Sequence, residues 1–257
     1  MANPSADLAR RIHRSDLLLQ SWLAYFRGCP NKRDSLADFR DWFYSTVIGR
    51  SLLDLRIPWM TFPAIRWLRA RLTPSMRVFE WGSGGSTVFL AGLVESVISV
   101  EHDKTWFEIV SDRVAKEGLL SIRLHHVPPT PLEEWGGLPK DAALYQSSEP
   151  GLEHAVFYDY VRSILAHPDE VFDIILVDGR ARIGCLSVAA RKVRPGGVIL
   201  LDNSEREEYK AGLEAFDDAR WETRHFVGPG PNSVWPAFWR TSAFIRKDTR
   251  SAESRSL

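Results

Sequence analysis

Residues 77–90 read RVFEWGSGGSTVFL, and the fold turns on how they are read. A short apolar run stops at the carboxylate of Glu80, passes through three glycines and resumes as an apolar, helix-compatible segment. That is strand, tight turn, helix. Val78 and Phe79 suit a buried strand, and Gly82, Gly84 and Gly85 permit positive φ and close approach of a ligand to the backbone. Ser86 and Thr87 can cap the helix, whose free amides favour a polar or anionic group. An ordinary strand-to-helix turn uses the same residue types, so the surroundings must decide.

Outward from this stretch the pattern alternates. Strands are expected at 77–80, 96–100, 121–126, 172–177 and 197–201, with helices near 86–94, 105–117, 152–166 and 181–193. Strands apolar on both faces that alternate with helices imply a doubly wound, Rossmann-like α/β domain with a mostly parallel sheet. A helix near 205–218 precedes a final strand pair, 221–227 and 242–246. Before the core, 5–28 and 35–72 carry helical apolar spacing, broken at Cys29-Pro30-Asn31 and between Pro58 and Pro63, with Ser35 and Asp38 as a capping pattern. The expected division is a helical extension at 1–63, a core domain at 64–247 and a frayed polar tail at 248–257. The extension could cover the cleft, form a homodimer surface or pack on the sheet.

Composition excludes several classes. With 33 basic and 33 acidic residues in a chain of 257, no global charge draws it to nucleic acid or to an anionic membrane. No segment approaches the roughly 20 apolar residues needed to span a bilayer, and the first residues lack the continuous apolar stretch of a signal peptide. Cys29 and Cys185 have neither metal-ligand spacing nor a disulfide pattern, which makes a reducing cytoplasm the expected compartment.

In such a sheet, ligands bind beyond the carboxyl ends of the strands. Here those ends are polar: Glu80, then Glu101-His102-Asp103, His125-His126, Asp178 and Asp202-Asn203. The dinucleotide fingerprint fails because position 87 is Thr, whereas Glu80, Gly82 and Gly84 fit E-x-G-x-G. This stretch resembles motif I of the class I S-adenosylmethionine-dependent methyltransferases over roughly residues 64–247. The resemblance implies a seven-stranded sheet with the last strand antiparallel, and S-adenosylmethionine held by Glu80, Gly82, Ser83, Gly84, Gly85, Ser86, Thr87, Glu101, His102 and Asp178. Glu101 would bind the ribose hydroxyls, His102 and Trp106 would flank the adenine, and Glu80 would act indirectly near the methionine amino group.

Asp178, Asp202 and Asn203 supply two carboxylates and an amide oxygen, a set suited to magnesium. They resemble the metal positions of the catechol and caffeoyl-coenzyme-A O-methyltransferase branch, which implies O-methylation of a small molecule or glycoside. Catechol-type members carry a lysine base three residues beyond the first metal aspartate. Position 181 here is Ala, and neither Arg180 nor Arg182 can serve as an ordinary base. The base stays open among His126, His154, Tyr158 and Tyr160, with His126 and Asp178 the leading catalytic candidates. Two loops should frame the acceptor: 127–151 as a lid, and 228–240, which carries Trp235, Phe238 and Trp239. Arg180, Trp235 and Trp239 are the expected substrate contacts. Two other readings stay open, a nicotinamide-dependent oxidoreductase and a noncatalytic module of the same fold.

Overall fold

A computed structural model describes residues 19–135, 142–232 and 238–248. The expected helix before residue 19, the middle of the expected lid, Trp235 and the tail beyond 248 lie outside these residues. Helix α1 is seen over 19–28, followed by α2 (Lys32–Trp42), α3 (Leu52–Leu55) and α4 (Phe62–Arg69). The core then runs β1 (Arg77–Trp81), α5 (Gly85–Leu90), β2 (Ser96–Glu101), α6 (Lys104–Lys116) and β3 (Ile122–His126). A small ribbon of β4 (Thr130–Pro131) and β5 (Ala155–Val156) leads to α7 (Tyr158–Arg162), β6 (Phe172–Val177), α8 (Arg182–Lys192) and β7 (Val193–Leu201). The chain closes with α9 (Lys210–Leu213), β8 (Trp221–Pro229) and β9 (Phe238–Arg246).

Seven strands form one sheet in the order β3-β2-β1-β6-β7-β9-β8, with β9 antiparallel to both neighbours and the other pairs parallel. This is the expected Rossmann-like sheet. Its core divides by strand alternation: Phe79, Trp81, Ile175, Val177, Ile199 and Leu201 pack on one face with Val161, Leu186 and Ala189. Val78, Ile174, Leu176, Val198 and Leu200 pack on the other with Leu68, Phe89 and Leu90. Each fully buried aliphatic of β6 contributes about 1.5–3 kcal/mol, so the central strand fixes the register of its neighbours.

Several expectations change in detail. The 152–166 and 205–218 helices are shorter, each a brief α-helix joined to a 3-10 turn. Asn31, not Ser35, caps α2 by accepting from the Arg33 amide. Ser35 is buried inside the helix, and Asp38 instead accepts the Tyr25 hydroxyl at 2.5 Å and the Arg66 guanidinium, tying α1, α2 and α4 together. Ser86 and Thr87 lie within the first turn of α5 rather than before it, because Gly84 is the N-cap. The boundary at 63 falls inside α4, so the extension and the core share a helix.

That shared helix is one of several ties. The Thr61 hydroxyl donates to the Phe226 carbonyl, and the Thr61 amide donates to the Thr241 hydroxyl. Residues 52–57 press on the start of α5, where a Cβ on Gly85 would lie 2.2 Å from the Ile57 carbonyl oxygen and 2.8 Å from that of Leu52. Gly85 is therefore required by backbone contact. Gly82 alone of the three loop glycines has φ in the left-handed region, +93°, close against Gly179. Gly85→Ala should cost about 1–3 kcal/mol of stability, read as a lower denaturation midpoint with an unchanged slope.

Candidate active site

The carboxyl ends of β1, β2, β6 and β7 open on a cleft of about 710 Å³. Its floor is the Gly82–Gly85 turn, one side is Glu101, His102, Asp103 and Trp106, and the other is Asp178, Arg180, Arg182, Asp202, Asn203, Arg206 and Trp239. Ser51, Leu52 and Trp59 from the extension close it above Gly85. Sequence reading missed these last residues and Arg206, and covered Asn232 only as part of the 228–240 loop. Nothing in their local pattern marks them, since only the folding back of the chain brings them to the cleft.

Glu101 ties the two halves of the loop region. Its Oε2 accepts both the amide and the hydroxyl of Ser83 at 3.0 Å, and its Oε1 accepts the amides of His102 and Asp103 at 2.8 and 2.9 Å. Burial would raise its pKa, but the adjacent His102 ring and the Asp103 amide outweigh that and hold the carboxyl below its ordinary value. Glu101 is thus a fixed anion at the cleft wall. The Ser83 hydroxyl, a rotor, can turn aside for an incoming hydroxyl donor. Trp106 lies over the turn, its indole N–H donating to the Ser83 carbonyl at 2.8 Å, and Gly84 sits beneath it.

Glu80 is fully buried behind the turn. Its Oε2 accepts the hydroxyls of Thr87 and Ser99 at 2.6 Å each, and Thr87 in turn accepts the Gly84 amide at 2.9 Å. Its Oε1 has no partner. Burial, only partly offset by the hydroxyls around it, pushes this carboxyl up to about 7. Its role here is to brace the turn.

The expected magnesium site is differently built. Arg182, buried beside it, donates through Nε to the Gly179 carbonyl, through Nη1 to the Asp202 carbonyl at 2.6 Å and to Asn203 Oδ1 at 3.3 Å, and through Nη2 to the Asp178 carbonyl at 3.1 Å. Nη2 also stands 3.0 Å from Asp178 Oδ1. The Asp202 carboxylate is turned to the Trp239 indole and to the Thr241 hydroxyl at 2.5 Å. A divalent cation on Asp178 Oδ1 and Asn203 Oδ1 would share them with a guanidinium, at a large Coulomb cost. The donor set does not fit magnesium. Among the described residues no cluster of three His, Cys, Asp or Glu side chains suits a metal. Burial raises the pKa of both aspartates, opposed at Asp178 by Arg182 and reinforced at Asp202 by Asp178.

The base candidates fare unevenly. His126 ends β3 at the edge of the sheet, away from β6 and β7; its Nε2 is 3.2 Å from the His102 carbonyl oxygen and its ring lies on Phe107. It does not line the cleft. Tyr160 is buried beneath Gly179, Tyr158 packs between Trp135 and Tyr145, and His154 is exposed near the ribbon. Of the cleft aromatics expected from 228–240, Trp239 is present, Phe238 packs on Trp22 and Tyr25 instead, and Trp235 lies outside the described residues. The insertion at 127–151 is anchored at its root by the β4–β5 ribbon, and its Glu149 reaches the cleft.

The chain matches no protein-family model and no curated protein. Solved structures of similar fold include tRNA (m1A58) methyltransferase TrmI from Aquifex aeolicus, 12% identical over 78% of this chain and 77% of that one, TM-score 0.49. SMU.1697c from Streptococcus mutans, solved in complex with SAH, is 10% identical over 70% and 94%, TM-score 0.48. A methyltransferase-like protein from Silicibacter pomeroyi is 22% identical over 74% and 89%, TM-score 0.44. These are likenesses of fold. No helix among the described residues is long and apolar enough to cross a membrane.

Three outcomes follow from the site's electrostatics. A carboxyl raised in the folded state contributes stability below its unfolded pKa and loses it as pH rises through the folded one. Thermal midpoints should therefore fall as pH rises from about 4.5 to about 7, levelling off once the folded Glu80 carboxyl has lost its proton, and Glu80→Gln should flatten that slope. Arg182→Ala should cost about 3–5 kcal/mol by stranding buried partners. Millimolar magnesium should leave the wild-type unfolding midpoint unchanged.

Proposed function

We propose that this chain is an S-adenosylmethionine-dependent methyltransferase acting on a hydroxyl oxygen of a small molecule, without a divalent metal. The observation that carries the reading is the pair of bonds from Ser83 to Glu101: the glycine turn and the acidic end of β2 face one cavity. Its volume of about 710 Å³ suits a nucleoside with an amino-acid tail. Glu101 would accept the ribose hydroxyls, His102 and Trp106 would flank the base, and the Gly82–Gly85 backbone would lie under the tail. When bound, S-adenosylmethionine would supply an electrophilic methyl carbon, the methyl–sulfur bond giving way to a bond with the acceptor oxygen while sulfur keeps the electron pair.

The protein's part is orientation and proton removal. Asp178 lines the cleft, its carboxyl raised toward neutrality and its Oδ1 steadied by Arg182. It is the group we assign to receive the hydroxyl proton. Trp59 and Trp239 supply flat apolar surface on the acceptor side and limit water.

Isothermal titration with S-adenosylhomocysteine tests the assignment. Glu101→Ala should weaken binding at least about tenfold, while Glu133→Ala, on the exposed 3-10 turn after β4, should not change it. Equal affinities in the two variants would remove Glu101 from the site, and no binding by the wild type would end the methyltransferase reading.

A further inference from the structure

Beside the cleft lies a second cavity of about 340 Å³, bounded by residues 146–149 of the insertion, the turn from β6 into α8, and Arg206, Glu208 and Tyr209. The two share Glu149, Gly179, Arg180, Arg182 and Arg206 as walls, so they adjoin where an acceptor would enter.

The arginines at this junction differ in their commitments. Arg182 is consumed by the strand-end carbonyls. Arg180 and Arg206 are partly exposed, and among the described residues neither side chain makes a hydrogen bond. Their nearest carboxylates, Glu149 at 3.7 Å and Glu208 at 4.0 Å, are loose contacts on side chains that are each 42% exposed. Arg180 Nε is buried with no acceptor. What the cavity offers an anion is the exposed part of two guanidiniums that make no side-chain hydrogen bond among the described residues. The floor between them is the amino end of the 11-residue helix α8, whose N-cap, Ala181, has φ +47° and no side chain to cap the first amides. The helix dipole adds positive potential there.

Resting on the methyltransferase reading, we infer that the acceptor is an anionic small molecule, its carboxylate or phosphate received between Arg180 and Arg206 in this second cavity while its hydroxyl reaches the cleft. Ala181, which lines this cavity, fits this use. A small residue leaves room over the helix end for the anion, and two flanking guanidiniums hold it by paired hydrogen bonds.

The experiment is calorimetric titration of the protein saturated with S-adenosylhomocysteine, using inorganic phosphate and, separately, benzoate. At least one should bind saturably, and Arg180→Gln and Arg206→Gln should each weaken it at least about tenfold. Phosphate alone would mark a phosphorylated acceptor, and benzoate alone a carboxylated one. Binding of neither anion, binding that both variants retain, or anion displaced by S-adenosylhomocysteine would overturn the inference. Wild-type protein that takes phosphate through these arginines yet fails to bind S-adenosylhomocysteine would sink the methyltransferase reading and leave the anion site standing.

Discussion

The buried guanidinium of Arg182 is the constraint on which the carboxyl end of the sheet depends. Parallel strands end with carbonyls aimed the same way, and β6 and β7 add two aspartates to that edge. Without a cation, the carbonyl oxygens of Asp178, Gly179 and Asp202 and the side-chain oxygen of Asn203 would crowd together short of donors. Arg182 meets them from the first turn of α8, so one side chain locks the helix to both strands. A resident protein cation also does what a metal would otherwise do structurally, at no cost of recruitment. As a consequence Asp178 stays at the cleft wall with one oxygen fixed, and Asp202 is released to hold Trp239 and Thr241.

On the other side of the cleft the fixed charge is negative. Glu101 keeps its ionised form because amides and the His102 ring surround it, while Glu80, on the adjacent strand β1, has hydroxyl donors on one oxygen and nothing on the other. Two glutamates from adjacent strands thus take opposite protonation tendencies from their surroundings. One presents a charge at the cleft wall; the other braces the turn that forms the cleft floor. The extension completes the arrangement, because its Leu52 and Ile57 carbonyls abut Gly85 and its Thr61 joins the chain Thr61–Thr241–Asp202.

Much of this was legible in the order of residues. Residues 172–177 read as a strand and form one with the same bounds, since six consecutive buried positions leave no other choice. The acidic and glycine residues at strand ends were found because a doubly wound sheet brings successive carboxyl ends together. His126 was overestimated for a related reason: strand ends share an edge of the sheet, but the strand order sets β3 at the outside, and its histidine turns to α6. The metal set misled because residue types alone do not tell which oxygens already have donors.

Sequence by itself determined the alternation of strand and helix, the glycine turn and the acidic tip of β2, because these follow from local periodicity and from backbone conformations that few residues tolerate. Only the tertiary structure decided what stands between Asp178 and Asn203, which aromatic reaches the cleft, and that the N-terminal helices close it. Those are matters of contact between residues far apart in the chain, set by packing and by competition for hydrogen-bond donors, which no local pattern records.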